Sequence, residues 1–512
     1  MPGSGLRKTM IANTISNYGK LVTMMIVTIF LTRTLFLGLS REEYGLWALL
    51  WSIFGYSLLL DFGFGAAIQK STSQTIVTKD WEKYNRLLST VFVNYSVLAV
   101  LIGVAAFILA SNLNNMFQFS SAGDLNYYRK IFIMFGVGTA VVFPSGFFVE
   151  VLRGLHKIKL RNNIQVLFNL INFGLMMYVV HSGFGLWGMT IVTISTALLT
   201  NITMAYFAHK SIPTLKISLK HYDFKLLKEV MGFSLFAYII TFSNLIIYQT
   251  DQLVISVFAS VSLIAVYQIS SKLAMTFKKF SSQFLDNLAP VAATLFASKE
   301  EGKLGKIMIE SNRLMGVIST LMFVPLVVFV KPLLKIWLDL EDPDGLFVAV
   351  LLLTSMYLIV FFRSTSVKIL LMGNHYKKLS MVAIIECTMN LALSIWLIRF
   401  YGIIGVALGT LIPNAIFTVS FNIPLGLKFS KITLKEYFKQ SVMHSIWIGG
   451  LTMIFALVLR RYFYPKTALL LLSELAITAM FFIVMYYVFG TYKWEKNQFK
   501  DFLNKKNKKK DC

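Results

Sequence analysis

A chain of 512 residues that is 56% hydrophobic, only 14% charged and +0.67 in mean hydropathy has too little polar surface to cover a soluble body, for which about 25% charge is usual. Its net charge of +25 does not point to nucleic acid. The cations sit in short connections and in the tail Lys505-Lys506-Asn507-Lys508-Lys509-Lys510, without interleaved aromatics, where anionic membrane lipids are the natural partners.

Apolar runs of about 20 residues, long enough to cross a hydrocarbon core as helix, recur from end to end. In chain order they predict about fourteen spans, at 10–37, 45–69, 87–112, 128–151, 163–181, 184–208, 231–259, 262–296, 313–331, 346–372, 379–399, 403–427, 440–460 and 467–489. The first is too long for a signal-peptide core and contains Lys20, so no cleavable leader is expected. With the N-terminus inside, about 33 Lys and Arg fall in cytoplasmic segments and about 9 outside. That asymmetry follows the positive-inside rule and puts both termini in the cytoplasm. The outer turn Arg460-Arg461 with Lys466 runs against it.

The longest connection, Lys210 to Lys228, is basic and separates the first six spans from the next six. The expected organisation is an N-lobe over 1–209, a cytoplasmic linker over 210–230 and a C-lobe over 231–428. Two accessory spans over 429–490 and a basic tail over 491–512 follow. Pro144 and Pro325 predict kinks in spans four and nine, and Trp337, Tyr401 and Trp494 read as interfacial anchors. Cys387 falls mid-helix and Cys512 at the far end, so neither a disulfide nor a metal site is expected. His156, His375 and His444 show no ligand spacing. With no phosphate-binding loop and no nucleophile triad either, no cofactor and no enzymatic role are expected.

The two sets of six spans resemble each other. Arg153-Gly154-Leu155-His156-Lys157 closes span four and Met372-Gly373-Asn374-His375-Tyr376 closes span ten. The turn Phe184-Gly185-Leu186-Trp187-Gly188 recurs as Tyr401-Gly402-Ile403-Ile404-Gly405, and Gln165-x-x-x-Asn169 loosely echoes Glu386-x-x-x-Asn390. An offset of six helices is even, so the repeats keep one orientation and relate by an axis along the membrane normal, with a cleft expected between them.

Charges within spans are costly and normally face a cavity or a partner. Seven cations are placed there: Lys20, Arg33, Lys272, Lys278, Lys279, Arg363 and Lys368. Against them stand Asp61, Asp251, Asp286, Glu386 and Glu474. In span eight Gln268, Lys272, Thr276, Lys279, Gln283 and Asp286 step by three and four residues, one polar stripe at 3.6 residues per turn. Ser234, Tyr238, Thr241, Asn244, Tyr248 and Asp251 make a second in span seven, and Asn13, Ser16, Asn17, Lys20 and Thr23 a third in span one. These three spans are expected to line a hydrated, net positive cavity. Lys20, Lys272, Lys279, Arg33, Lys278 and Arg363 are its substrate-binding candidates; Asp61, Asp251 and Glu386 are the candidates for ion coupling or charge pairing. The plain alternative is that these groups pair with one another or snorkel to the interface.

Arg33-x-Leu35-x-x-Gly38, Tyr44-Gly45, Leu60-Asp61-Phe62-Gly63-Phe64-Gly65, Asp251-Gln252-Leu253-Val254-Ile255, Tyr267 and Leu334-x-x-Trp337 together resemble a known pattern. It is that of the polysaccharide transporters, the Wzx-type O-antigen flippases, in the multidrug/oligosaccharidyl-lipid/polysaccharide (MOP) exporter superfamily. The resemblance covers nearly the whole chain, with loose motifs. It implies two six-helix lobes plus two further helices in a bacterial cytoplasmic membrane. It also implies alternating-access carriage of an undecaprenyl-diphosphate-linked oligosaccharide to the outer leaflet, with proton or sodium coupling, and polymerase and chain-length proteins as partners. A drug exporter of the same superfamily would carry acids in the first-lobe cavity, where this chain has Lys20. A membrane glycosyltransferase or polymerase would need a large outer loop, and no outer loop here exceeds roughly twenty residues.

Overall fold

The computed structural model describes residues 4–55, 64–119, 125–282, 285, 301–373 and 375–491. Every regular element among them is helical. In chain order these are α1 (Ser4–Gly38), α2 (Arg41–Gly55), α3 (Phe64–Thr78), α4 (Trp81–Ser111), α5 (Leu113–Met116) and α6 (Leu125–Val142). Next come α7 (Phe148–Gly154), α8 (Ile158–His181), α9 (Gly185–Ser211), α10 (Phe224–Phe258) and α11 (Val261–Ser282). Then follow α12 (Glu301–Val328), α13 (Val330–Leu338), α14 (Pro343–Leu358), α15 (Ser364–Met372) and α16 (Tyr376–Phe417). The last are α17 (Ile423–Ser430), α18 (Leu434–Tyr437), α19 (Met443–Tyr462) and α20 (Ala468–Met485).

Ten helical stretches among the described residues are long and apolar enough to cross a membrane. The protein is therefore an all-α, multi-pass membrane protein. One stretch, Tyr376–Ser430, holds both predicted spans eleven and twelve. Its continuity is broken at Gly402, where φ 55° and ψ −137° are open to glycine but strained for residues with a Cβ. Spans two, seven and eight correspond to α2 with α3, to α10 and to α11, which are not among the ten. The predicted kink at Pro144 is a one-turn 3-10 segment, Phe143–Ser145, between α6 and α7. A proline lacks the N–H that would continue the helix.

The chain divides into two compact units, Met1–Ile269 with Ala383–Gly409, and Ser270–Val382 with Thr410–Cys512. In the first, buried Phe64, Ile68, Leu88, Val91, Phe147 and Val151 form a core where α3, α4 and α7 meet. Gly45 of α2 lies against the backbone carbonyl of Val261, so that a Cβ would collide with it. The connection after α9 is fastened to α4. Ile212 and Leu215 are buried, Asn85 bonds the Thr214 carbonyl at 2.9 Å and the Lys216 N–H at 3.2 Å, and Asp223 N–H reaches Thr90 at 2.9 Å.

In the second unit, α12 packs on α19 and α20 through Val324, Val328, Ala456 and Leu471. Arg313 of α12 is 3% exposed. Its guanidinium donates to the carbonyl of Gln440 at 3.0 Å and to that of Gly490, and lies over the Tyr486 ring. One cation thus holds the start of one C-terminal span and the end of the other.

The internal repeat has a backbone counterpart. The N–H of Lys157 bonds the carbonyl of Leu152, and the N–H of His375 that of Leu370, both at 3.0 Å and 218 residues apart. This is the six-to-one bond of a Schellman helix end. Gly185 and Gly402, 217 apart, share positive φ, 54° and 55°. In the 218-residue register of the helix ends Asn390 corresponds to Asn172, not to Asn169. Each amide reaches the following helical segment, Asn172 to the Thr196 hydroxyl at 2.9 Å and Asn390 to the Gly409 carbonyl at 3.2 Å.

Candidate functional site

Lys20 is half-buried on α1 and donates to the side-chain oxygen of Gln165 on α8. One turn earlier Ser16 accepts from Asn162 at 3.2 Å. These polar pairs join α1 to α8. Beside them opens a cavity of about 660 Å³ lined by Ser16, Lys20, Thr23, Lys159 and Asn163, and by the aliphatic Val166, Leu167 and Leu170. Two ammonium groups and three short polar side chains face a common space with an apolar wall. Lys159 was missed in the sequence because it reads as one more basic residue of a cytoplasmic turn. Its spacing to Asn163, Val166 and Leu170, of four, three and four residues, is the signal that would have found it.

A second cavity of the same unit, about 640 Å³, lies where the Pro144 break opens the bundle. Trp51, Tyr95, Phe135, Phe143 and Phe147 supply aromatic walls, and Gln69, Thr139, Thr193 and Asn201 polar ones. Glu150 and Arg153 line it as an ion pair at 3.1 Å. Asn201 secures the break, donating to the carbonyl of Val142 at 3.2 Å and the hydroxyl of Ser145 at 3.1 Å. Sequence periodicity pointed to none of these residues as a group, because they come from six helices and a 3-10 turn.

Asp251 is buried and accepts from the Tyr267 hydroxyl at 2.5 Å. The adjacent pair, Gln252 to Gln268, bridges the same helices, α10 and α11. The two bridges explain locally why Asp251-Gln252 and Tyr267 occur together. Glu386 is buried on α16, one turn before Asn390. Arg33 is exposed on α1.

In the other unit, Lys272 and Lys278 are half-buried and Lys279 exposed on α11. The helix buries Ala274 and Phe277 there and leaves Lys272, Thr276 and Lys279 on its more open side. Arg363 is half-buried in a π-helical turn, Ile359–Arg363, a distortion that often marks functional sites. Asp61, Gln283 and Asp286 lie outside the described residues. The structure places Lys20 with Lys159 and Asp251 with Tyr267; of the nominated site residues, Lys20 alone lines either of the two cavities described above. Outside the spans, His375 is held below the usual imidazole range by burial and then by Lys378; its ring meets that of Phe429 in a T-shaped contact.

The sequence profile of the family described as polysaccharide biosynthesis protein matches residues 31–339, more than half of the chain. The chain belongs to that family. No curated protein matches this family member by sequence. Among solved structures it is similar to the lipid II flippase MurJ in an inward closed conformation. The TM-score is 0.72 at 15% identity, over 94% of this chain and 98% of that one. It is also similar to an inward-facing multidrug resistance MATE family transporter of the MOP superfamily, with TM-score 0.67 and 16% identity over 82% and 98%. A MOP superfamily transporter from Pyrococcus furiosus, described by a binding pocket of reversed polarity, gives 0.57 and 15% over 83% and 97%. This polysaccharide biosynthesis family member therefore has the MOP transporter fold.

Proposed function

We propose that this protein is a flippase that moves an undecaprenyl-diphosphate-linked oligosaccharide from the inner to the outer leaflet of a bacterial cytoplasmic membrane, for O-antigen, capsule or exopolysaccharide synthesis. The observation that carries the reading is the cavity in which Lys20 and Lys159 meet polar side chains on one side and aliphatic ones on the other. A diphosphate linked to a lipid presents that combination: two anionic groups beside an apolar chain. Ammonium groups bind phosphate as point charges, and more strongly in a partly dehydrated site than in water. Family membership and the MOP fold agree with it. In this reading 1–209 and 231–428 act as two lobes around a substrate path to which Lys272, Lys278, Lys279, Arg33 and Arg363 add positive charge. Asp61, Asp251 and Glu386 are the candidates for coupling to protons or sodium. The termini face the cytoplasm.

The drug-exporter reading draws on the aromatic cavity, but there the carboxylate of Glu150 is already neutralised by Arg153. Reconstitution tests the proposal. Proteoliposomes holding a fluorescent lipid-linked oligosaccharide should expose its sugar to an added glycosidase at a protein-dependent rate. Lys20→Gln should slow that rate at least tenfold and Lys20→Arg only partly. Equal rates in empty and loaded vesicles would overturn the assignment.

A further inference from the structure

The C-terminal helix α20 carries a carboxyl that the charged cavities do not use. Glu474 is 5% exposed, and its Oε2 has no hydrogen-bond partner among the described residues. No ion pair is formed to it there either. Leu471, Glu474, Thr478 and Phe482 are all buried and, at spacings of three and four residues, share one face of the helix. That face is set between two apolar clusters, Val324, Val328 and Ala456 on one side and Ile448 and Tyr486 on the other. The Thr478 hydroxyl, one turn on, is fully buried and equally without a partner among the described residues.

Among the described residues, the charged groups on the elements packed against α20 are directed elsewhere or distant. On α12, Arg313 is bound to the carbonyls of Gln440 and Gly490, sixteen residues or about 24 Å of helix from Glu474, while Lys306 and Glu310 lie still earlier and pair with each other. On α13, Lys335 pairs with Glu341 and Lys331 is exposed. On α19, Arg460 donates to the carbonyl of Val328 at 2.6 Å, Arg461 is exposed and His444 is at the opposite end. A carboxylate here would lose its hydration with nothing to replace it, whereas the protonated acid is only a small polar group beside a hydroxyl.

We propose that Glu474 is a proton-binding site of the C-terminal helix pair, a carboxyl that carries its proton within the membrane and is modified there by apolar carbodiimides. The acid oxygen adds to the central carbon of the carbodiimide while its proton passes to a carbodiimide nitrogen. An oxygen-to-nitrogen acyl shift within that adduct then gives a stable N-acylurea, with nothing else consumed or released. The site stands apart from the flippase assignment and does not depend on it.

The test uses the full chain in detergent micelles, dicyclohexylcarbodiimide as the probe, and peptide mass spectrometry, with Tm measured in parallel. The proposal requires a carbodiimide adduct on Glu474 that is absent from Glu474→Gln, whichever other buried carboxyls also react. It also requires a Tm of Glu474→Gln within a few degrees of wild type, because the amide is a neutral isostere. A water-soluble carbodiimide with an added amine should mark exposed Glu341 and leave Glu474 untouched. Absence of the Glu474 adduct, its formation by the water-soluble reagent, or a Tm drop in Glu474→Gln as large as that of Glu474→Lys would each overturn the proposal.

Discussion

Removing the Arg313 guanidinium is expected to loosen both C-terminal spans together. It makes two charge-assisted bonds to backbone carbonyls, of Gln440 and Gly490, in a site 3% exposed. Hydrogen bonds to charged groups are worth about 1.5–3 kcal/mol each, so Arg313→Leu should cost about 3–6 kcal/mol. The ring of Tyr486, 5.8 Å from the guanidinium carbon, adds about 0.5–2 kcal/mol. Arg313→Lys keeps the charge but not the fork, and one ammonium reaches one carbonyl more readily than two, so roughly half the loss should return. The assay is reversible unfolding in mixed micelles, followed by fluorescence and by protease access to the segment around Thr491. The expected order is wild type, then Lys, then Leu, with cleavage appearing in that order. Wild-type stability in Arg313→Leu, or equal loss in the Lys and Leu variants, would refute the two-carbonyl account.

Other outcomes follow from single contacts. Lys159→Gln combined with Lys20→Gln should lower flipping further than either alone, at unchanged protein abundance in the membrane, measured by the vesicle assay. Tyr267→Phe removes the 2.5 Å bond to buried Asp251 and should cost about 1–3 kcal/mol; Asp251→Asn in the same background should recover part of it in the unfolding assay. Gly402→Ala places a Cβ on a backbone at φ 55°, ψ −137° and should cost about 1–3 kcal/mol, whereas Gly450→Ala, inside α19 with open space around it, should stabilise by about 0.5–1 kcal/mol. On a cysteine-free background, an impermeant maleimide added outside should label Asp344→Cys and miss Lys220→Cys.

Hydropathy, a proline inside a span and Gly-containing turns were enough to read the class of fold, the break at Pro144 and the repeat, because each acts within one or two helical turns. The repeat's polar echo was misplaced by three residues. Gln165 and Asn169 looked like the partners of Glu386 and Asn390, but helix ends rather than residue types set the register, and Asn172 is the counterpart. Lys20 stood out as a cation far from a helix end. Lys159, its neighbour across the cavity, did not, since it reads as one more basic residue of a turn, and its helical spacing to Asn163, Val166 and Leu170 gains meaning only once α1 packs on α8. Arg313 escaped for a related reason. At the edge of a span it resembles an orienting charge of the positive-inside rule, and only tertiary structure shows it gripping two distant carbonyls.

The segment after α9 matters for a reason separate from transport. Its apolar residues Ile212 and Leu215 are buried, and its backbone is held at Thr214, Lys216, Ser218 and Asp223 by side chains of α4. The chain is therefore riveted before and after the exposed turn Leu219–His221. Covalent continuity through that turn carries almost none of the load. The gene should tolerate being split there into two open reading frames, whose products reassemble because each severed end already has its own seat.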